Sequence, residues 1–148
     1  MKNLINIADR ENITIKYVTM PTPYLGMYLN DYGSPLILLD HGIKDESCLH
    51  RCILAEELGH HFTSVGKSIH YAETVPFWKQ HQAKQEFKAL KWSATNLIPY
   101  DKLIEAYCEG LQELFELAHH FKVTPELMQF RMTFVNKNDF QIHEVANF

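Results

Sequence analysis

Apolar positions change their period at about residue 45. From Ile13 to about residue 40 they alternate or run in short β-branched blocks, and from Asp45 they recur every three to four residues. Before the change, Leu4, Ile5 and Ala8 stand at helical spacing and predict a short helix over 2–10. Ile13-Thr14-Ile15-Lys16-Tyr17-Val18 alternates and reads as a strand. Pro21 and Pro23 punctuate it, Leu25 to Leu29 reads as a second strand, and Asp31-Tyr32-Gly33-Ser34 reads as a turn. Pro35-Leu36-Ile37-Leu38-Leu39-Asp40 is a third, more apolar strand. These spacings predict a small three-stranded antiparallel meander.

After the change, Asp45 is a suitable N-cap, and Glu46 suits the positive end of a helix dipole. Leu49, Cys52, Ile53 and Leu58 then form an apolar stripe to about Thr63, with Gly66 as the stop. Residues 67–78 are mixed, contain Pro76 and read as loop. Further helices are expected over 79–97, closed by Pro99, and over 101–121 and 125–135. The last two are split by Val123-Thr124-Pro125, where Thr124 caps and Pro125 fits a first helical turn. The tail from Asn136 is weakly specified. Strands followed by helices favour an α+β fold.

Length and composition bound the function. The chain has 148 residues, which suits one domain over 1–148, with the helical residues 101–136 completing it. Apolar residues at 46% and charged residues at 22% are ordinary for a globular chain and exclude a disordered or collagenous one. No apolar run approaches the roughly 20 residues of a membrane span. The first ten residues carry an early acid and no long apolar block, so no secretion signal is read. Three cysteines, an odd number, then read as free thiols in a reducing cytoplasm. The net charge of −4 argues against direct nucleic-acid binding. All of it falls in residues 101–148, which hold four basic and eight acidic side chains. Nine histidines are the one count out of line.

The stretch that carries chemistry is Leu54-Ala55-Glu56-Glu57-Leu58-Gly59-His60-His61-Phe62. Glu56 and His60 are four residues apart, as are Glu57 and His61, and on a helix such pairs share a face. Two donors at that spacing can bind one metal ion. In the H-E-x-x-H motif, two histidines so spaced hold zinc and the Glu after the first acts on a water. Here Glu56 takes the place of the first histidine. A carboxylate is a competent zinc ligand, though its charge makes the metal less acidifying. The plain alternative is a solvated Glu–His pair contributing only tenths of a kcal/mol. His61 is a candidate alternative ligand, paired with Glu57 by a rotation of about 100°, one residue's worth.

The string from Ile53 to Thr63 resembles the metal-binding helix of the ImmA/IrrE-type metallopeptidases. These are zincin-like proteins associated with phages, mobile elements and stress responses. The resemblance takes in the strand Ile37-Leu38-Leu39-Asp40, the segment Gln85-Glu86-Phe87-Lys88-Ala89-Leu90-Lys91-Trp92-Ser93-Ala94, and Leu97-Ile98-Pro99. It covers residues 1 to about 136. It implies Glu56, His60 and Glu86 as metal ligands, Zn2+ as cofactor and Glu57 as general base. It also implies a zincin-like sheet packed on the metal helix, followed by a C-terminal helical bundle. The departure from the family's pattern is Glu56, which bears on metal affinity and catalytic strength. The implied activity is that of a zinc-dependent endopeptidase whose substrate is a helix-turn-helix repressor of a phage or integrated element. The alternative is a non-catalytic regulator on the same fold that binds a repressor or toxin partner.

Several other residues invite readings of their own. Glu86, 26 residues after His60, leaves room for a loop and a returning helix, but also suits a solvated partner in a Lys-rich helix. Cys48, His50 and Cys52 suggest a Cys/His zinc site, but a second C-x₂₋₄-C half is lacking. His50 and Tyr71 are candidate hydrogen-bond donors to a transition state. Glu113 to Met132 resembles a helix-turn-helix layout with Ala118, Val123 and Leu127 inward, but the acidic charge disfavours DNA binding.

Overall fold

A computed structural model describes residues 1–31, 33–63, 69–73 and 84–135. Leu4, Ile7 and Ala8 bury one face of helix α1 (Lys2–Arg10), with Ile7 in the place expected of the half-buried Ile5. The helix ends with Asn12 at φ 54°, where Ile13 N–H reaches back to the Ala8 carbonyl at 2.8 Å. Strand β1 (Thr14–Val18) follows, then β2 (Tyr24–Asp31) and β3 (Ser34–Asp40), close to the expected bounds. The hairpin between β2 and β3 turns at Gly33, whose φ of +81° suits a residue without a Cβ.

The sheet departs from the expected meander. Among the described residues it has four strands in the order β1-β3-β2-β4, and β1 runs parallel to β3. β3 is the most apolar strand and takes an interior place, pairing along both edges; Ile37 and Leu39 are fully buried, Leu36 and Leu38 half-buried. The fourth strand, β4 (Ile69–Glu73), pairs antiparallel with β2 in a stretch expected to be loop. Five residues of mixed polarity give periodicity too little to work with.

Helix α2 (Ser47–Thr63) begins two residues after Asp45, beyond a short 3₁₀ turn (His41–Ile43) capped by the Asp40 side chain. Its residues 52–60 are all buried, so it is wrapped rather than laid on a surface with one apolar stripe. The sheet covers one side of it. Helix α3 (Lys84–Leu97) covers another and matches the expected 79–97 from residue 84 onward. Positions 64–68 and 79–83, and the tail from 136, lie outside the described residues.

The single helix expected over 101–121 is two, α4 (Tyr100–Cys108) and α5 (Leu114–Phe121). Gly110, at φ +99°, stops α4: Leu111 N–H bonds the Ala106 carbonyl and Gly110 N–H bonds that of Tyr107. α5 ends the same way, with Lys122 in the left-handed position. The Arg51 guanidinium donates to the carbonyls of Phe121 and Lys122, tying that ending to α2. α6 (Pro125–Met132) starts as expected, with Thr124 Oγ1 accepting from Leu127 N–H at 3.3 Å. Phe87 of α3 stacks edge-on against Phe130 of α6, which fixes the C-terminal helices against α3. Arg131, one of two cations near the candidate recognition helix, is buried and donates to the Ile98 carbonyl at 2.9 Å.

Candidate metal centre

Three side chains from two helices meet between α2 and α3. Glu56 and His60 share one face of α2, as their spacing requires. Glu86 comes from the first turn of α3. One ligand atom from each of the three lies within 4.8 Å of the others. His60 Nε2 and Glu86 Oε2 are 3.2 Å apart. Two donors each about 2.1 Å from one zinc ion at a tetrahedral angle would stand roughly 3.4 Å apart, so this pair is already at ligating separation.

A glycine makes that approach happen. At Gly59 a Cβ would stand 2.4 Å from the Ala89 carbonyl oxygen, so only a bare Cα lets α3 come this close to α2. Glu86 lies one turn before Ala89 and is thereby brought to His60. A glycine inside an apolar helix is a legible sign of close packing, and this one stands between the acidic pair and the histidine pair.

The electrostatics favour a cation. Glu56 and His60 are buried, while Glu86 is partly open to solvent. Burial, and next the neighbouring Glu86 carboxylate, raise the Glu56 pKa well above the carboxylate range. Glu56 Oε2 has no hydrogen-bond partner among the described residues. A buried carboxylate oxygen in that position costs free energy unless a proton or a cation meets it. Two carboxylates and an imidazole are a donor set that zinc accepts, so the residues fit such an ion.

Glu57 follows Glu56 but turns toward the sheet, where its Oε1 occupies the space beside Gly26 of β2. It is fully buried. His61 turns elsewhere: Nδ1 pairs with Tyr28 Oη at 2.9 Å and Nε2 lies 3.6 Å from Glu11 Oε2. The cluster therefore takes in His60 and not His61.

The other candidates do not join it. Cys52 Sγ accepts from Thr124 N–H at 3.3 Å, and burial pushes its thiol up to about 12, away from the thiolate a metal binds. His50 Nε2 pairs with Tyr17 Oη at 2.8 Å. It precedes His60 by ten residues, roughly 15 Å along the helix, on the β1 side of the sheet. The Tyr71 backbone is in β4, and its side chain lies outside the described residues. No described helix is long and apolar enough to cross a membrane.

Comparison with curated proteins gives no match. The sequence profile of the IrrE N-terminal-like domain, a peptidase family, matches residues 8–133. That span runs from the end of α1 through α6 and contains Glu56, Glu57, His60 and Glu86. The chain, with its Glu-His-Glu cluster able to hold a metal ion, belongs to this metallopeptidase family.

Proposed function

We propose that the chain is a zinc-dependent endopeptidase, with Glu56, His60 and Glu86 as ligands and Glu57 as general base. The convergence of those three ligand atoms within 4.8 Å, with the buried carboxylate of Glu57 following Glu56 on the same helix, carries this reading. Zinc, when bound, supplies Lewis acidity that polarises a peptide carbonyl and makes a water easier to deprotonate. Glu57 takes the proton of the attacking water at its carboxylate. A carbon–oxygen bond forms at the scissile carbonyl. Glu57 then hands the proton to the leaving amine as the carbon–nitrogen bond breaks. Burial of Glu57 keeps bulk water from competing for that proton. The substrate is an extended segment adding to a sheet edge through main-chain hydrogen bonds. Its source is a helix-turn-helix repressor of a phage or integrated element, and the setting is cytoplasmic. The support for that substrate is the family resemblance.

A second reading is favoured by Glu56 itself. A ligand set with two carboxylates leaves the ion less acidifying than two imidazoles would, which suits a regulator that binds a repressor or toxin without cutting it. Two experiments separate the readings. Protein purified without chelators is expected to hold about one equivalent of zinc; far less, with no gain in thermal stability on adding zinc, removes the metal site and with it the peptidase reading. Co-expression with a helix-turn-helix repressor of a phage or integrated element, encoded beside it where one is found, is expected to give cleavage, reduced about 10²- to 10⁴-fold in Glu57→Gln. Binding without cleavage favours the regulator, and cleavage undiminished in Glu57→Gln removes Glu57 as the base.

A further inference from the structure

We propose that Gly26 is a positioning residue for Glu57, holding open the space that the carboxylate occupies. A glycine inside a strand costs backbone entropy and packs nothing, so one in β2 needs a reason. Conformation is not the reason, because among the described residues the positive-φ glycines are Gly33 and Gly110. Space is. A Cβ at Gly26 would stand 2.6 Å from Glu57 Oε1, 3.2 Å from Glu57 Cδ and 2.7 Å from Ile53 Cγ2. The first and last are closer than a real Cβ approaches any heavy atom.

Glu57 is fully buried and has little room to retreat. The backbone of β2 faces it, and its own helix stands behind it. Gly26 sits opposite Leu39 of β3 and Ala72 of β4. The register of β2 against β4 slips between Tyr24 and Gly26, leaving one extra residue on β2. Such a bulge re-aims a strand locally and is common beside active sites. Glu57 follows Glu56 directly and precedes His60 by three residues, and its carboxylate stands on the sheet side of α2, beside Gly26. Filling position 26 would drive that carboxylate off its place while leaving Glu56, His60 and Glu86 where they are.

The inference rests on Glu57 acting as the base, so its test is separable from that reading. Thermal denaturation of Gly26→Ala, Glu57→Ala, Ile53→Ala and the double variants gives two cycles, Gly26 with Glu57 and Gly26 with Ile53. Gly26→Ala is expected to lower the Tm by roughly 4–10 °C, the range for an overpacked site in a chain of this size. Gly26→Ala/Glu57→Ala is expected to melt well above the sum of the single shifts. Additive shifts in that cycle, with coupling to Ile53 alone, would make Gly26 a helix–sheet packing residue and overturn the proposal. If Gly26→Ala does not fold, folding of Gly26→Ala/Glu57→Ala supports it and a failure to fold overturns it. Zinc titration of Gly26→Ala is expected to match the wild type. Against a helix-turn-helix repressor that the wild type cleaves, kcat is expected to fall roughly 100-fold with KM unchanged. A loss of zinc, or a change confined to KM, also overturns it. Absence of zinc in the wild type counts against the peptidase reading and leaves the cycles interpretable.

Discussion

The two halves of α2 bury polar groups in opposite ways. In the first half, Arg51, Cys52 and His50 each bond a group from another element: the carbonyls ending α5, the Thr124 amide and the Tyr17 hydroxyl. These contacts hold the helix in the fold. In the second half, Glu56 and His60 turn toward Glu86 at a single point, and Glu56 Oε2 has no hydrogen-bond partner among the described residues. His50 and His60 are both buried histidines on one helix. The first is matched to a neutral hydroxyl, the second to a carboxylate at ligating distance. Burial alone therefore does not mark a functional histidine; the chemistry of what it faces does.

Substitution is the sharpest way to break that contrast. His60→Ala is expected to weaken zinc binding by more than the roughly 10–100-fold that loss of a supporting partner costs, measured by titration with a competing chelator. An unchanged affinity would erase the distinction between the halves. Next in size is removal of the ion. Chelation is expected to lower the Tm by about 5–10 °C if free zinc stood near 100-fold above Kd, with saturating zinc restoring it. His50→Ala is expected to leave zinc binding alone and cost about 1–2 kcal/mol in chemical denaturation, because Tyr17 loses its partner.

The smallest effect concerns Asp40, which ends β3 and caps the 3₁₀ turn that precedes α2. Its carboxylate accepts from the Met20 and Gly42 amides at 2.7 Å each, and those bonds hold its pKa below the usual range. A depressed folded pKa means that this stabilisation is present above the ordinary carboxylate value and is lost as pH falls through Asp40's own. Asp40→Asn is expected to flatten that acid limb in a pH series of denaturation midpoints. It should not alter zinc binding.

Much of the architecture was legible because it is local. The strands 14–18, 24–31 and 34–40 and the caps at Thr124 and Pro125 follow from alternation and from side chains that act within a few residues. The single helix expected over 101–121 is broken at Gly110, whose positive φ stops α4. β4 was not legible, since its pairing partner β2 lies some 40 residues earlier. Nor was the parallel pairing of β1 with β3, because strand order is set by contacts between segments some 20 residues apart and not by local alternation.

For the site, the sequence by itself determined that Glu56 and His60 share a helix face with Glu57 beside them, since a four-residue step is a property of any α-helix. It left open whether that face was solvated, whether His60 or His61 pointed inward, and whether Glu86 came near. Those were decided by packing. Tyr28 and Glu11 engage His61 from other elements, and the missing Cβ of Gly59 lets α3 bring Glu86 to His60. Helical periodicity sets angles within one element. Only the close approach of two elements sets the distances, of a few ångströms, on which metal binding depends.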